Sequence, residues 1–92
     1  MNNIKSVQIT VSGRVQNVGF RYATYEKAIE IGITGFVMNQ PDGSVYIEAE
    51  GTENLLDEFI IWCHNGPNWA KVLDVKIGKQ PICNFSTFKI KR

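Results

Sequence analysis

The chain has 92 residues, with ten Lys and Arg against nine Asp and Glu and a formal net charge of +1. That length fits one domain, residues 1–92, with a single core, and the near-neutral charge argues against a surface for nucleic acid or anionic membrane. No apolar run is long enough to span a bilayer, and the opening MNNIKS lacks the apolar stretch of a secretion signal, so a cytoplasmic protein is expected.

Ile4 to Val11 alternates, and Val7, Ile9 and Val11 form the inner face of a half-buried strand. A loop, SGRVQNVGFR from Ser12 to Arg21, follows. From Phe20 to Ile31 the residues Phe20, Thr24, Ala28 and Ile31 recur at helical spacing, and Gly32 supplies the stop. Tyr22, Tyr25 and Ile29 line the other side of that helix, as plain exposed surface or as a protein contact. Ile33–Asn39 and Ser44–Gly51 read as strands joined by the QPDG turn.

Thr52 is placed to cap a second helix, with Glu53 in its positively polarised first turn. Leu55, Leu56, Phe59, Ile60, Trp62 and Cys63 give it a broad apolar face, and Asn65-Gly66-Pro67 ends it with a left-handed cap. His64 reads as an exposed last-turn residue, and Asp42 and Glu48 as solvent-facing. Ala70–Ile77 and Asn84–Lys91 are the last two strands. The order β-α-β-β-α-β with an extra C-terminal strand predicts an α+β, ferredoxin-like split βαβ fold, an antiparallel sheet with two helices on one face.

Cys63 and Cys83 form no CxxC pair, and one histidine is too little for a zinc site, so reduced thiols and no metal are expected.

The loop holds no Asp, Glu, His, Cys or Lys. It runs from a strand end to a helix start, where unpaired N–H groups and the helix dipole favour an anion. Gly13 and Gly19 free the backbone to curl, and Arg21 adds a fork of donors suited to phosphate oxygens. An anion cradle is one reading; two turn glycines and a solvated arginine are the other. Asn39 by itself reads as the lead-in to the Pro41-Asp42-Gly43 turn.

GRVQNVGFR resembles the acylphosphatase signature G-x-V-Q-G-V-x-F-R at every fixed position but one. GFVMNQPDGSVYIEAEG, Gly35 to Gly51, is similar to the family's second signature, and GPNWAKV and the closing TFKI are similar to its C-terminal half. The resemblance implies hydrolysis of acyl phosphates to a carboxylate and phosphate, with no metal or organic cofactor. Carried over by position, it implies that Arg21 binds phosphate and Asn39 orients a water, both as catalytic residues. Backbone N–H groups of Gln16, Asn17, Val18, Gly19 and Phe20 would complete the substrate-binding loop. The partners it implies are the acyl phosphate and the phosphate product, met by a monomer. Asn17 is the departure, standing where the signature has Gly, at a position expected to need φ > 0.

Two rivals remain at this level. One is an acylphosphatase-like binding module for phosphate or carbamoyl phosphate with little turnover, for which Asn17 is the argument. The chain's end right after its last strand favours the stand-alone enzyme instead. The other is an RNA-recognition domain of the same strand order, which SVYIEAEG, with one Tyr and two acids, does not fit.

Overall fold

Val7, Ile9 and Val11 do turn one way, and their side chains are almost wholly buried. The computed structural model describes residues 3–92; Met1 and Asn2, the start of the MNNIKS segment, lie outside the described residues. The elements are β1 (Ile4–Arg14), α1 (Phe20–Ile31), β2 (Thr34–Asn39), β3 (Val45–Thr52), α2 (Glu53–Asn65), β4 (Lys71–Gln80) and β5 (Phe88–Ile90). They build one sheet of order β4-β1-β3-β2-β5. β1 pairs antiparallel with β3 and β4, and β2 antiparallel with β3. β1 and β2 therefore run parallel across β3, as the split βαβ order requires. β5, the extra C-terminal strand, pairs parallel with β2, Val37 opposite Ile90, which makes the sheet mixed.

The core lies on the helix-covered face. Phe20, Thr24 and Ala28 of α1 and Leu56, Phe59 and Cys63 of α2 are buried against Val7, Ile9, Val11, Val37, Ile47 and Ala49. Phe59 meets Phe88 edge-on at 6.2 Å, which docks β5 onto that core. Leu55, Ile60 and Trp62 pack at its margin, as does Tyr25, which the helical pattern had assigned to the outer side. Tyr22 and Ile29 are exposed.

Other local expectations shift for physical reasons. β1 runs past Val11 to Arg14 because a bulge between Ser12 and Gly13 lets Gly13 pair with Val72. Gly13 has φ 125, and a Cβ there would strike the Lys71 carbonyl and the Leu73 N–H. This glycine serves close strand approach and not the curl of the loop. Thr52 stands at the N-cap of α2 without a side-chain capping bond, while Glu53 pairs with Lys5 at 2.9 Å. Gly66 has φ 67 but ψ −172, so α2 does not end in the left-handed cap its sequence suggested. Glu48 is half-buried, accepting from Tyr46 Oη at 2.6 Å, whereas Asp42 is exposed. Only Phe88–Ile90 of the expected last strand is extended pairing.

Candidate functional site

The loop between β1 and α1 is rooted in the core from below. Val15 and Phe20 are about 1 % exposed and Val18 packs against the core, whereas Asn17 and Gly19 are exposed. Phe20 rests its ring 5.7 Å from that of Trp62. Its side chain is thus committed to the interior, and only its N–H is left to offer a ligand.

Asn17 has φ 61 and Gly19 φ 78, and Val18 between them is not left-handed. Alternating signs of φ turn successive N–H groups to one side, the geometry of an anion-binding concavity. Gly19 is also the N-cap of α1, its carbonyl accepting from the Ala23 N–H at 3.0 Å. The first turn carries no acidic residue, so nothing there neutralises the positive end of the helix dipole. A Cβ added at Gly19 would meet nothing within 4 Å. Space above the loop is therefore open.

That space is a cavity of about 280 Å³ lined by Val15, Asn17, Gly19, Phe20, Arg21, Tyr22, Ile90 and Arg92. It is lined by two arginines and by no Asp or Glu. Arg21 is half-buried and reaches the Lys91 carbonyl with Nη1 at 3.4 Å; among the described residues it pairs with no acid. A larger cavity, about 450 Å³, lies at the other end of β1 between Val7, Leu56, Ile60 and Ile82. Its walls are mainly apolar, and its Lys5 is already paired with Glu53. It suits an anion poorly.

Asn39 closes β2 and does not line the cavity of Arg21, nor do Gln16 and Val18. Its register explains its orientation: Asn39 lies opposite Val45, which lies opposite Val11, and both valines belong to the core. The Asn39 side chain thus points to the helix-covered face, the side on which the loop crosses to α1. Its Oδ1 is buried with no hydrogen-bond partner. An orphan acceptor of this kind costs about 1–3 kcal/mol unless something donates to it.

The gap between loop and hairpin is bridged by a side chain for which sequence reasoning had proposed only a backbone role. Gln16 Nε2 donates to the Gln40 carbonyl at 2.8 Å and to the Ser44 carbonyl at 2.9 Å. No local pattern signals such a contact, because its partners lie 24 and 28 positions away. Tyr22, Ile90 and Arg92 likewise join the cavity only through folding.

Residues 7–90 match the family model described as Acylphosphatase. The chain belongs to the acylphosphatase family. It is 47 % identical over 85 residues to an acylphosphatase of Archaeoglobus fulgidus, covering 92 % of this chain and 96 % of that one. An acylphosphatase of Trichormus variabilis is 43 % identical over 86 residues, 94 % of this chain and 85 % of its own length. The crystal structure of an acylphosphatase from Bacillus subtilis superposes with a TM-score of 0.93 at 36 % identity, covering 98 % of this chain and all (100 %) of that one. The five-stranded mixed sheet with two helices is thus the acylphosphatase architecture.

Proposed function

We propose that this acylphosphatase hydrolyses acyl phosphates to a carboxylate and inorganic phosphate, with the Gln16–Phe20 loop and Arg21 holding the phosphoryl group and Asn39 holding the attacking water. The observation that carries the reading is the pairing of a cavity at Arg21 lined by no Asp or Glu with the unpartnered Oδ1 of Asn39 on the same side of the sheet. Phosphoryl transfer is chiefly positioning plus stabilisation of charge on the phosphoryl oxygens. The loop N–H groups and the Arg21 fork supply that charge stabilisation.

A water whose one O–H donates a hydrogen bond to Asn39 Oδ1 keeps a lone pair free for phosphorus. As its oxygen bonds to phosphorus, the bond from phosphorus to the acyl oxygen breaks and the carboxylate leaves with that electron pair. The water's other proton passes to a phosphoryl oxygen of the substrate. A carboxylate is a weak base, so no protein acid need protonate it, and no metal or organic cofactor enters this scheme. One chain carries every group named, so a monomer in the cytoplasm with reduced thiols suffices, without a nucleic-acid partner.

The test is hydrolysis of acetyl phosphate by parent, Arg21→Ala and Asn39→Ala, each with and without a chelator. Parent turnover should be chelator-insensitive. Arg21→Ala should lose activity together with inhibition by inorganic phosphate, and Arg21→Lys should restore little, because a point charge lacks the two-pronged geometry. Asn39→Ala should lower kcat on the order of a hundredfold while phosphate binds nearly as before. A folded parent that binds phosphate without turnover would instead be a binding module.

A further inference from the structure

Two separate supersecondary units carry the site. The loop belongs to the β1–α1 connection, and Asn39 belongs to the β2–β3 hairpin. In-line attack requires them to keep a fixed separation, since a misplacement of about 1 Å can cost about a hundredfold in rate. Through the sheet the link is indirect, because β3 lies between β1 and β2.

Gln16 supplies a direct link. Its amide nitrogen donates to the Gln40 and Ser44 carbonyls, the residues immediately beyond the Asn39–Val45 pair. Those carbonyls also accept from the Gly43 and Gln40 N–H groups, at 3.1 and 2.9 Å, so the amide sits at the closed neck of the hairpin. Both partners are acceptors, so only the NH₂ end of Gln16 fits there. No other hydrogen bond among the described residues joins residues 15–19 to residues 39–44. Val15 in the core and Val18 packed against it hold the loop backbone on either side of the Gln16–Asn17 step. The neck is stiffened in turn by buried Ser44, whose Oγ lies 2.7 Å from Gln40 Oε1 and 2.6 Å from Asp42 Oδ1, within reach of its single O–H.

We propose that Gln16 is a positioning residue of the reaction, whose side chain locks the anion loop to the neck of the hairpin and so sets Asn39 and its water against the phosphoryl group. The proposal rests on the assignment of the water to Asn39. It goes beyond the backbone role that the family signature assigns to this position. It also separates two functions within one residue, the N–H serving the anion and the amide serving geometry.

The experiment compares parent, Gln16→Met, Gln16→Asn, Asn39→Ala and the Gln16→Met/Asn39→Ala double variant. Met keeps the length and loses both donors; Asn keeps the donors and is one methylene too short to reach both carbonyls. Both single variants should lower kcat about tenfold or more and change inorganic phosphate affinity by less than about threefold. The double variant should be no slower than Asn39→Ala alone, because the bridge then has no water to place. Parent-like kcat in both Gln16 variants would overturn the proposal. So would losses that multiply in the double variant, or phosphate affinity falling in step with kcat. If Gln16→Met does not fold, Gln16→Asn carries the kinetic comparison, with Gln16→Asn/Asn39→Ala as the double variant. A parent without turnover would overturn the functional reading and this role together. The bridge itself has its own readout in the side-chain amide NMR signals of Asn39, which should shift in Gln16→Asn and whose constancy would show that Gln16 does not hold the hairpin.

Discussion

Asn17 joins an unusual backbone angle to the cavity at Arg21. At φ 61 it sits where a non-glycine residue is strained by roughly 1 kcal/mol, and it is exposed at the rim of the Arg21 cavity. Asparagine tolerates the left-handed region better than other side chains, so the loop forms despite the departure from the family signature. It nevertheless brings a side chain to a residue of the cavity lining where the signature has glycine. Asn17→Gly should therefore keep the fold, change stability by no more than about 1 kcal/mol, and raise kcat/KM for acetyl phosphate. Equal or lower kcat/KM would show that the asparagine carries no catalytic penalty. Asn17→Val should do the opposite, since a β-branched side chain resists φ > 0.

At the scale of elements, the connection from β4 to β5 is held by a buried acid. Glu50 is 3 % exposed, and its carboxylate accepts from the Cys83 N–H and, at 3.1 Å, from the Phe85 N–H. These bonds draw the connection across the open face of the sheet, where Phe85 meets Phe36 edge-on at 5.9 Å and Lys91 Nζ lies 3.9 Å from the Phe36 ring centre. Bonds to a charged acceptor contribute about 1.5–3 kcal/mol each. Glu50→Gln can offer one carbonyl oxygen but turns an NH₂ toward the second donor. It should destabilise the protein by about 2 kcal/mol, read as a lower urea midpoint, while kcat at 25 °C stays near the parent value. An unchanged midpoint would mean that the connection holds without the acid.

For the molecule as a whole, Cys63, Tyr46 and Cys83, each raised first by burial, limit stability in alkali. Burial raises the Cys63 thiol from its usual 9.0 to about 12. Burial, then the hydrogen bond to Glu48 and its charge, raise Tyr46 from 10.0 to about 12. Above their ordinary values the unfolded chain releases these protons and the folded chain keeps them, so stability present below pH 9 falls as the pH climbs toward about 12. On the acid side, the hydrogen bond from Lys5 lowers Glu53 and that from Ser44 lowers Asp42. Their contribution is present above 4.5 and 3.8 and is lost as pH falls below those values. Urea midpoints should be flat between these limits and drop on both sides. Cys63→Ala should start lower because of the cavity it leaves, yet fall less steeply above pH 9; a parallel slope would remove Cys63 as a cause. A thiol reagent at pH 8 should modify exposed Cys83 and spare Cys63 until the chain unfolds.

Local periodicity carried most of the architecture. The spacing of Phe20, Thr24 and Ala28, the alternation of Val7, Ile9 and Val11, and the QPDG turn each act over a few residues, so the sequence alone determined both helices, the hairpin and the element order. Arg21 and Asn39 became candidates through short motifs that resemble the family signatures, Asn39 through that resemblance alone. Other features arise between distant segments. β5 runs parallel to β2 because the chain crosses from the β4 edge of the sheet to the opposite edge, and it is confined to Phe88–Ile90 while the Phe85 N–H is held by Glu50. Gly13 is needed for the approach of Lys71 and not for the loop that follows it. The Gln16 amide finds its acceptors only once the hairpin closes beside the loop. Chain-local forces chose the elements; the mutual placement of the candidate side chains waited for contacts that the tertiary structure alone creates.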